Sequence, residues 1–272
     1  MFVVKVPGIN GLGKTLGCEK AGNEIIKVLK EEIFSNESGF PVELNKIDLE
    51  EIHLDNSNLD SANKLIYKNA LETFEIKPKT LFLGGDHSVS FSLVRAFLDY
   101  CEGIKGKEPC LIVFDAHPDC MPVVKSNEKH PNHEEWLRCL IEQGFPSKNV
   151  LLVGIRNSDV QEINFLKKNS IKFIGMNSLL ENIEETCEII MEFSDKKELY
   201  VSLDIDVVDP VFAPGTGRLE PGGLTSREFI YLIQRLNKIK NLRAVDLVEI
   251  NPLKDKDKLT VKLGAKIVSE MI

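Results

Sequence analysis

The sequence predicts an α/β protein built on a parallel sheet covered by helices on both faces. Two observations carry that expectation. Short β-rich runs alternate with helical patterns along the whole chain, and several of the runs are apolar without a break, as in Leu111-Ile112-Val113-Phe114 and Val150-Leu151-Leu152-Val153. Strands buried on both faces read this way, and β/α alternation is the pattern of a parallel sheet with crossover helices. A closed (β/α)8 barrel is the competing architecture.

Taken in order, strands are expected near 1–6, 41–47, 79–83, 110–114, 149–153, 171–175, 198–203 and 241–248. Helical patterns fall between them, near 19–34, 60–75, 88–101, 134–144, 159–168, 178–193, 225–238 and 260–271. No Pro/Gly/Ser-rich linker, low-complexity run or internal repeat divides the chain, so residues 1–272 are read as one domain.

Composition narrows the function classes. The chain has 272 residues, of which 43% are hydrophobic and 28% charged, as in a soluble protein with a full core. Its net charge of −8 argues against a nucleic-acid partner, because phosphate binding needs a basic face. No apolar run approaches the roughly 18–20 residues of a membrane span, and the N-terminus breaks too soon at Pro7 for a signal peptide. Six cysteines without a CxxC pair or a tight framework suit a reduced, cytoplasmic protein.

The unusual residues all follow predicted strands. Gly84-Gly85-Asp86-His87-Ser88 comes after Leu83, Asp115-Ala116-His117-Pro118-Asp119 after Phe114, Asp204-Ile205-Asp206 after Leu203, and Glu249 after Val248. The carboxyl edge of the strands is where open α/β sheets and barrels place their sites. In extended backbone alternate side chains point the same way. The i, i+2, i+4 spacing of Asp115, His117 and Asp119 therefore aims all three at one point, and Asp204 and Asp206 repeat the device. His87 adds an imidazole from a third strand. Singly, each motif has an ordinary explanation: Asp-x-Asp as a turn or cap, Asp86 or Ser88 as a helix N-cap. Together they read as a metal site. Carboxylates with a minority of imidazoles suit Mn²⁺ or a similar divalent ion, and two cations would balance four converging carboxylates in a two-metal unit.

Gly-Gly-Asp-His-Ser at 84–88, Asp-Ala-His-Pro-Asp at 115–119 and Ser-Leu-Asp-Ile-Asp-Val-Val-Asp-Pro at 202–210 resemble the three signature motifs of the ureohydrolases, the family of arginases, agmatinases and other guanidino-acid hydrolases. The likeness runs from Gly17 through Glu249-Ile250-Asn251-Pro252 to the end. It implies a three-layer sandwich with a central eight-stranded parallel sheet, rather than the barrel. It implies two Mn²⁺ per chain, with Ni²⁺ or Co²⁺ as alternatives. His87 and Asp119 would hold one ion, His117 and Asp206 the other, and Asp115 and Asp204 would bridge them. It implies hydrolysis of a small guanidino substrate with release of urea, and a homo-oligomer, trimer or hexamer.

Divalent ions acidify water enough to supply hydroxide near neutral pH. A substrate cation needs a carboxylate to hold it in plane, and the resemblance gives that role to Glu249. Asp119 takes the proton of the attacking group, and a histidine passes a proton to the leaving amine. His133 is the candidate shuttle, with His130 as the alternative; His53, in a polar stretch, reads as a surface residue.

The substrate is less legible. The loop from Cys120 to Asn132 does not reproduce the Ser/Asn arrangement of arginases. Asp159 and Glu162 match arginase positions that approach a substrate α-amino group, but acids in the first turn of a helix are also favourable in their own right. Arg218 stands where a threonine is usual, and a pocket-rim arginine would pair with a substrate carboxylate. The expectation is arginine or another guanidino acid, with agmatine as the alternative. A single-zinc deacetylase and a non-catalytic homologue are the other classes. The six-ligand set argues against the first, and the absence of any lost ligand against the second.

Overall fold

The computed structural model describes residues 2–11, 13–103 and 106–272, without the side chain of Leu44. Met1, counted in the first predicted strand, lies outside the described residues. Eight strands run β1 (Phe2–Val6), β2 (Asp48–Glu51), β3 (Thr80–Gly84), β4 (Pro109–Phe114), β5 (Val150–Ile155), β6 (Lys172–Gly175), β7 (Glu198–Asp204) and β8 (Leu242–Val248). They form one parallel sheet in the order β2-β1-β3-β8-β7-β4-β5-β6. Its two ends, β2 and β6, do not pair with each other, so the sheet is open and the barrel is excluded.

The helices are α1 (Ala21–Glu31), α2 (Leu59–Ile76), α3 (Val89–Gly103), α4 (Trp136–Glu142), α5 (Val160–Lys168), α6 (Met176–Glu181), α7 (Ile183–Ser194), α8 (Ser226–Leu236) and α9 (Leu259–Met271). The two-residue period of the strands divides the core. Leu81, Leu83, Ile112, Phe114, Val201 and Leu203 face one cluster with α1, α6, α7, α8 and α9. Phe82, Leu111, Val113 and Tyr200 face the other, with α2, α3, α4 and α5. Side chains of this size contribute about 1.5–3 kcal/mol each when buried. Two such layers offset the cost of gathering carboxylates at one edge of the sheet.

Two expectations needed correction. The predicted strand 41–47 is instead an isolated bridge from Ser35 to Pro41 followed by a 3-10 turn at Leu44–Lys46. The edge strand forms just afterwards, over the acidic Asp48-Leu49-Glu50-Glu51, because an edge strand needs pairing on one side only and its charges stay in water. The predicted helix 178–193 is two helices. Asn182 leaves helical geometry at φ −152° and caps α7, its side chain accepting from the Glu185 N–H.

The four central strands, β3, β8, β7 and β4, are mutual neighbours. Their carboxyl ends carry all the chemistry-bearing motifs, which places those motifs side by side although up to 165 residues of sequence separate them.

Candidate metal centre and substrate pocket

Each strand delivers its side chains through a sharp local change of backbone. After β3 the chain turns at Gly85, where a Cβ would lie 2.0 Å from the carbonyl oxygen of Gly8, so the turn admits only glycine. Asp86 is fully buried beneath it and accepts from the Asn10 N–H (2.6 Å), the Thr15 hydroxyl (2.7 Å) and the Ser88 N–H (3.1 Å). Asp119 and Glu249 both sit at positive φ, 51° and 64°. Non-glycine residues in that region cost about 1–3 kcal/mol and gather at functional sites. Glu249 is locked there by its own N–H to Gly85 O (2.9 Å) and by Oε1, which accepts from the His87 N–H (2.9 Å).

Two ligand sets result. His87, Asp115 and Asp204 offer ligand atoms within 4.8 Å of one another, as do Asp115, His117 and Asp206. Asp115 belongs to both. His87 Nδ1 lies 3.1 Å from Asp115 Oδ2, 2.9 Å from Asp119 Oδ2 and 3.2 Å from Asp204 Oδ2. Yet His87 Nδ1 and Asp115 Oδ2 are buried and form no hydrogen bond. Polar atoms crowded, buried and unpaired in this way fit a divalent cation, because an orphaned buried polar group is otherwise costly. His117 Nδ1 lies 3.0 Å from Asp206 Oδ2 and 3.6 Å from Asp115 Oδ1 in the second set.

The electrostatics agree. Burial and the neighbouring Asp119 and Asp206 push Asp115 up to about 6, and burial with Asp206 and Asp115 pushes Asp204 well above the carboxylate range. Burial also acts on Asp206, but His117 beside it holds it low. Burial opposes the charged form of His87 and His117, and the surrounding carboxylates override it, raising both. Burial and crowding thus favour the protonated forms of Asp115, Asp204 and the two imidazoles, and bound cations would take the place of those protons.

Residues beneath the ligands orient them. His87 Nε2 lies 3.0 Å from Ser202 Oγ, whose hydroxyl donates to Asp246 Oδ1 (2.6 Å). Asp246 Oδ2 also accepts from Ser90 (2.8 Å) and Tyr200 (2.9 Å). With Ser202 donating onward, its oxygen accepts a hydrogen bond from the His87 Nε2–H. That assigns the tautomer leaving Nδ1 free to ligate. Trp136 packs on the His87 ring at 4.7 Å and donates from Nε1 to Asp119 Oδ2 at 3.0 Å. The motif reading missed these residues. Ser202 and Asp246 were visible as polar interruptions of apolar strands; Trp136 gave no local signal.

Above the ligands is a cavity of about 180 Å³ lined by His117, Asp119, His133, Asp204, Asp206 and Glu249, with Lys14, Glu134, Gly217 and Arg218 at its mouth. His133 Nδ1 stands 3.6 Å from Glu249 Oε1. Burial lowers the basicity of His133, but Glu249 outweighs it and raises the imidazole to about 9. His130 lies elsewhere, 3.7 Å from Asp60 of α2, and His53 is exposed. Arg218 is half exposed and pairs with Glu134 at 3.4 Å.

The structure does not bring Asp159 and Glu162 to the pocket. Asp159 caps α5 and accepts from the Gln161 N–H (2.8 Å). Glu162 turns back, its two oxygens accepting from the Asp159 and Cys120 N–H groups, both at 2.9 Å. This capping box satisfies orphan donors at a helix start, and both Glu162 oxygens are engaged with backbone N–H groups. Larger cavities lie away from this site, against α6–α7 and between α2 and α3, and neither contains the ligand sets.

Among the described residues, no helix is long and apolar enough to cross a membrane. Comparison with known proteins gives one answer. The chain is 27% identical over 248 residues to the arginase of Staphylococcus aureus, covering 84% of this chain and 80% of that one. It is 29% identical over 231 residues to the agmatinase of Bacillus subtilis, covering 85% and 75%. In fold it resembles the proclavaminate amidino hydrolase of Streptomyces clavuligerus, with a TM-score of 0.86 at 24% identity over 99% of this chain and 89% of that one. The arginase family model matches residues 2–272, and this chain belongs to the arginase family, hydrolases of amidino C–N bonds.

Proposed function

We propose that the chain hydrolyses the guanidino C–N bond of a small guanidino acid and releases urea, using two Mn²⁺ per chain. The observation that carries this reading is the pair of ligand sets sharing Asp115 beneath the pocket. His87, Asp115, Asp119 and Asp204 would hold one ion, and His117, Asp115 and Asp206 the other. When bound, the ions acidify water and balance the carboxylates. Carboxylate oxygens in excess of imidazoles favour manganese, with nickel or cobalt fitting the same donors.

The protein's own residues supply the remainder. Glu249, fixed at Oε1 by the His87 N–H, holds the guanidinium in plane through Oε2, which the Cys18 thiol approaches at 3.9 Å, and Gly217 leaves room beside it: a Cβ there would stand 3.1 Å from Glu249 Oε2. Asp119 accepts the proton of the attacking water. His133, whose imidazole Glu249 raises from 3.6 Å away, is placed to give a proton to the leaving amine. General acid catalysis of this kind contributes ~10²–10⁴-fold. Arg218 at the mouth favours arginine or another guanidino acid over agmatine. The likeness to an agmatinase supports agmatine as the second reading.

Six buried, free cysteines support a cytoplasmic enzyme, and the family resemblance supports a trimer or hexamer. A urea-release assay on the Mn²⁺-loaded protein across guanidino acids, arginine and agmatine tests the reading. Urea from a guanidino acid is the expected result; acetate release from an acetylated amine with no urea from any guanidine would overturn it.

A further inference from the structure

The floor and the mouth of the pocket have opposite charge. The floor is carboxylate-rich, whereas the mouth carries Lys14 and Arg218. Both contact a single acceptor: Glu134 Oε1 lies 3.1 Å from Lys14 Nζ and 3.4 Å from Arg218 Nη1. Lys254 donates to the Lys14 carbonyl (2.8 Å) and the Gly217 carbonyl (3.4 Å), which pins together the two backbone segments bearing the cations. Glu134 is three-quarters buried, while Lys14 and Arg218 are each more than half exposed. The two cations therefore have donors to spare, and one carboxylate oxygen serves both.

We infer that Lys14 and Arg218 are the receptor for the substrate's carboxylate, that Glu134 is the receptor's resting occupant, and that the substrate is an ω-guanidino carboxylate with no need of an α-amino group. The inference rests on the hydrolase reading above. Its geometry is a short one. Glu249 Oε1 stands 3.6 Å from His133 Nδ1, and Glu134 Oε1 stands 4.0 Å from His133 Nε2, so floor and mouth are separated by one imidazole ring with a contact on each side. A short linear chain spans that gap with its cation on Glu249 and its anion at the mouth.

The carboxylates matched to an α-amino group stand away from the pocket lining: both Glu162 oxygens accept from the Cys120 and Asp159 N–H groups, and Asp159 caps α5. Among the described residues lining the pocket, Glu134 is the only carboxylate outside the floor, and both cations already share it. A second cation on the substrate, as in agmatine, meets Lys14 and Arg218 instead of a partner. Charge-assisted hydrogen bonds are the strong ones. A substrate anion that displaces Glu134 gains two of them, and one that lacks an anion gains none.

The test uses the Mn²⁺-loaded protein with 4-guanidinobutanoate, arginine, agmatine and butylguanidine, measuring both urea release and calorimetric binding. Expected is kcat/KM for 4-guanidinobutanoate at or above that for arginine and about tenfold or more above agmatine and butylguanidine. Lys14→Met and Arg218→Thr should each raise KM for 4-guanidinobutanoate about tenfold and narrow its lead over butylguanidine. Glu134→Gln should lower that KM severalfold by freeing the receptor. A tenfold lead for arginine would overturn the α-amino clause. A lead for agmatine, or a rise in KM with Glu134→Gln, would overturn the receptor. If no guanidine is cleaved but 4-guanidinobutanoate still binds in a Lys14-dependent way, the hydrolase reading fails and the receptor stands.

Discussion

The floor of the pocket and its mouth are a few ångströms apart and are built by different rules. The floor is made at the ends of four adjacent strands, and its residues are buried: His87 and Asp86 are 0% exposed, Asp115 1% and Asp204 3%. Strand register sets where those side chains go, and the apolar layers on both faces hold the register. The mouth is made by loops after the strands, and Lys14 and Arg218 keep 58% and 53% of their side-chain surface in water. Position at the floor is fixed by the core; position at the mouth is fixed by pairwise charge. On the proposed function, the chemistry belongs to the first region and the choice of substrate to the second.

That division predicts a gradient of mutational effects. The largest comes from the ligands. Asp206→Ala removes the partner of His117 Nδ1 and should weaken one of the two ion sites and nearly abolish urea release, read by metal analysis alongside the assay. Next comes the shuttle. His133→Ala should lower kcat by ~10²–10⁴-fold with metal content unchanged. His130→Ala, on the α2 side of the same loop, should do much less; the reverse order would reassign the proton transfer.

The layer beneath the ligands comes third. Ser202→Ala breaks the path from His87 Nε2 to Asp246 and leaves a buried carboxylate with one fewer donor. Loss of such an orienting partner typically costs 10–100-fold in metal affinity. A metal titration should show that loss falling on the His87 ion rather than the His117 ion, and Ser202→Thr should recover part of it. Smallest is Asp159→Ala. It removes an N-cap, so thermal or chemical denaturation should show a loss of about 0.5–2 kcal/mol, with kcat/KM for any substrate little changed. A selective loss on arginine would instead return Asp159 to substrate recognition.

The same division explains what could be read from the sequence. Continuous apolar runs announced the central strands; the motif at Asp115, His117 and Asp119 pointed to the right residues for a different reason than extended spacing, since the backbone bends at 116–117 and Asp119 sits at φ 51°. The family motifs supplied the pairing of ligands with ions. Strand β2 was misplaced because an edge strand of Asp, Leu and Glu carries no burial pattern. The break at Asn182 was missed because the helical periodicity resumes on its far side. Asp159 and Glu162 had two meanings in sequence, substrate contact and capping box. Only the direction of the Glu162 side chain, back towards the N–H groups of Asp159 and Cys120, separates them. Lys14 and Glu134 gave no signal at all, since their contact joins residues 120 positions apart through exposed loops.

Everything proposed for the pocket depends on its floor holding two ions. Loading the purified protein with Mn²⁺, removing free metal and counting bound ions per chain tests it most directly. About two manganese ions per chain, with urea release that rises with their occupancy, is the expected result. A single tightly held zinc per chain, with activity indifferent to manganese, would contradict it.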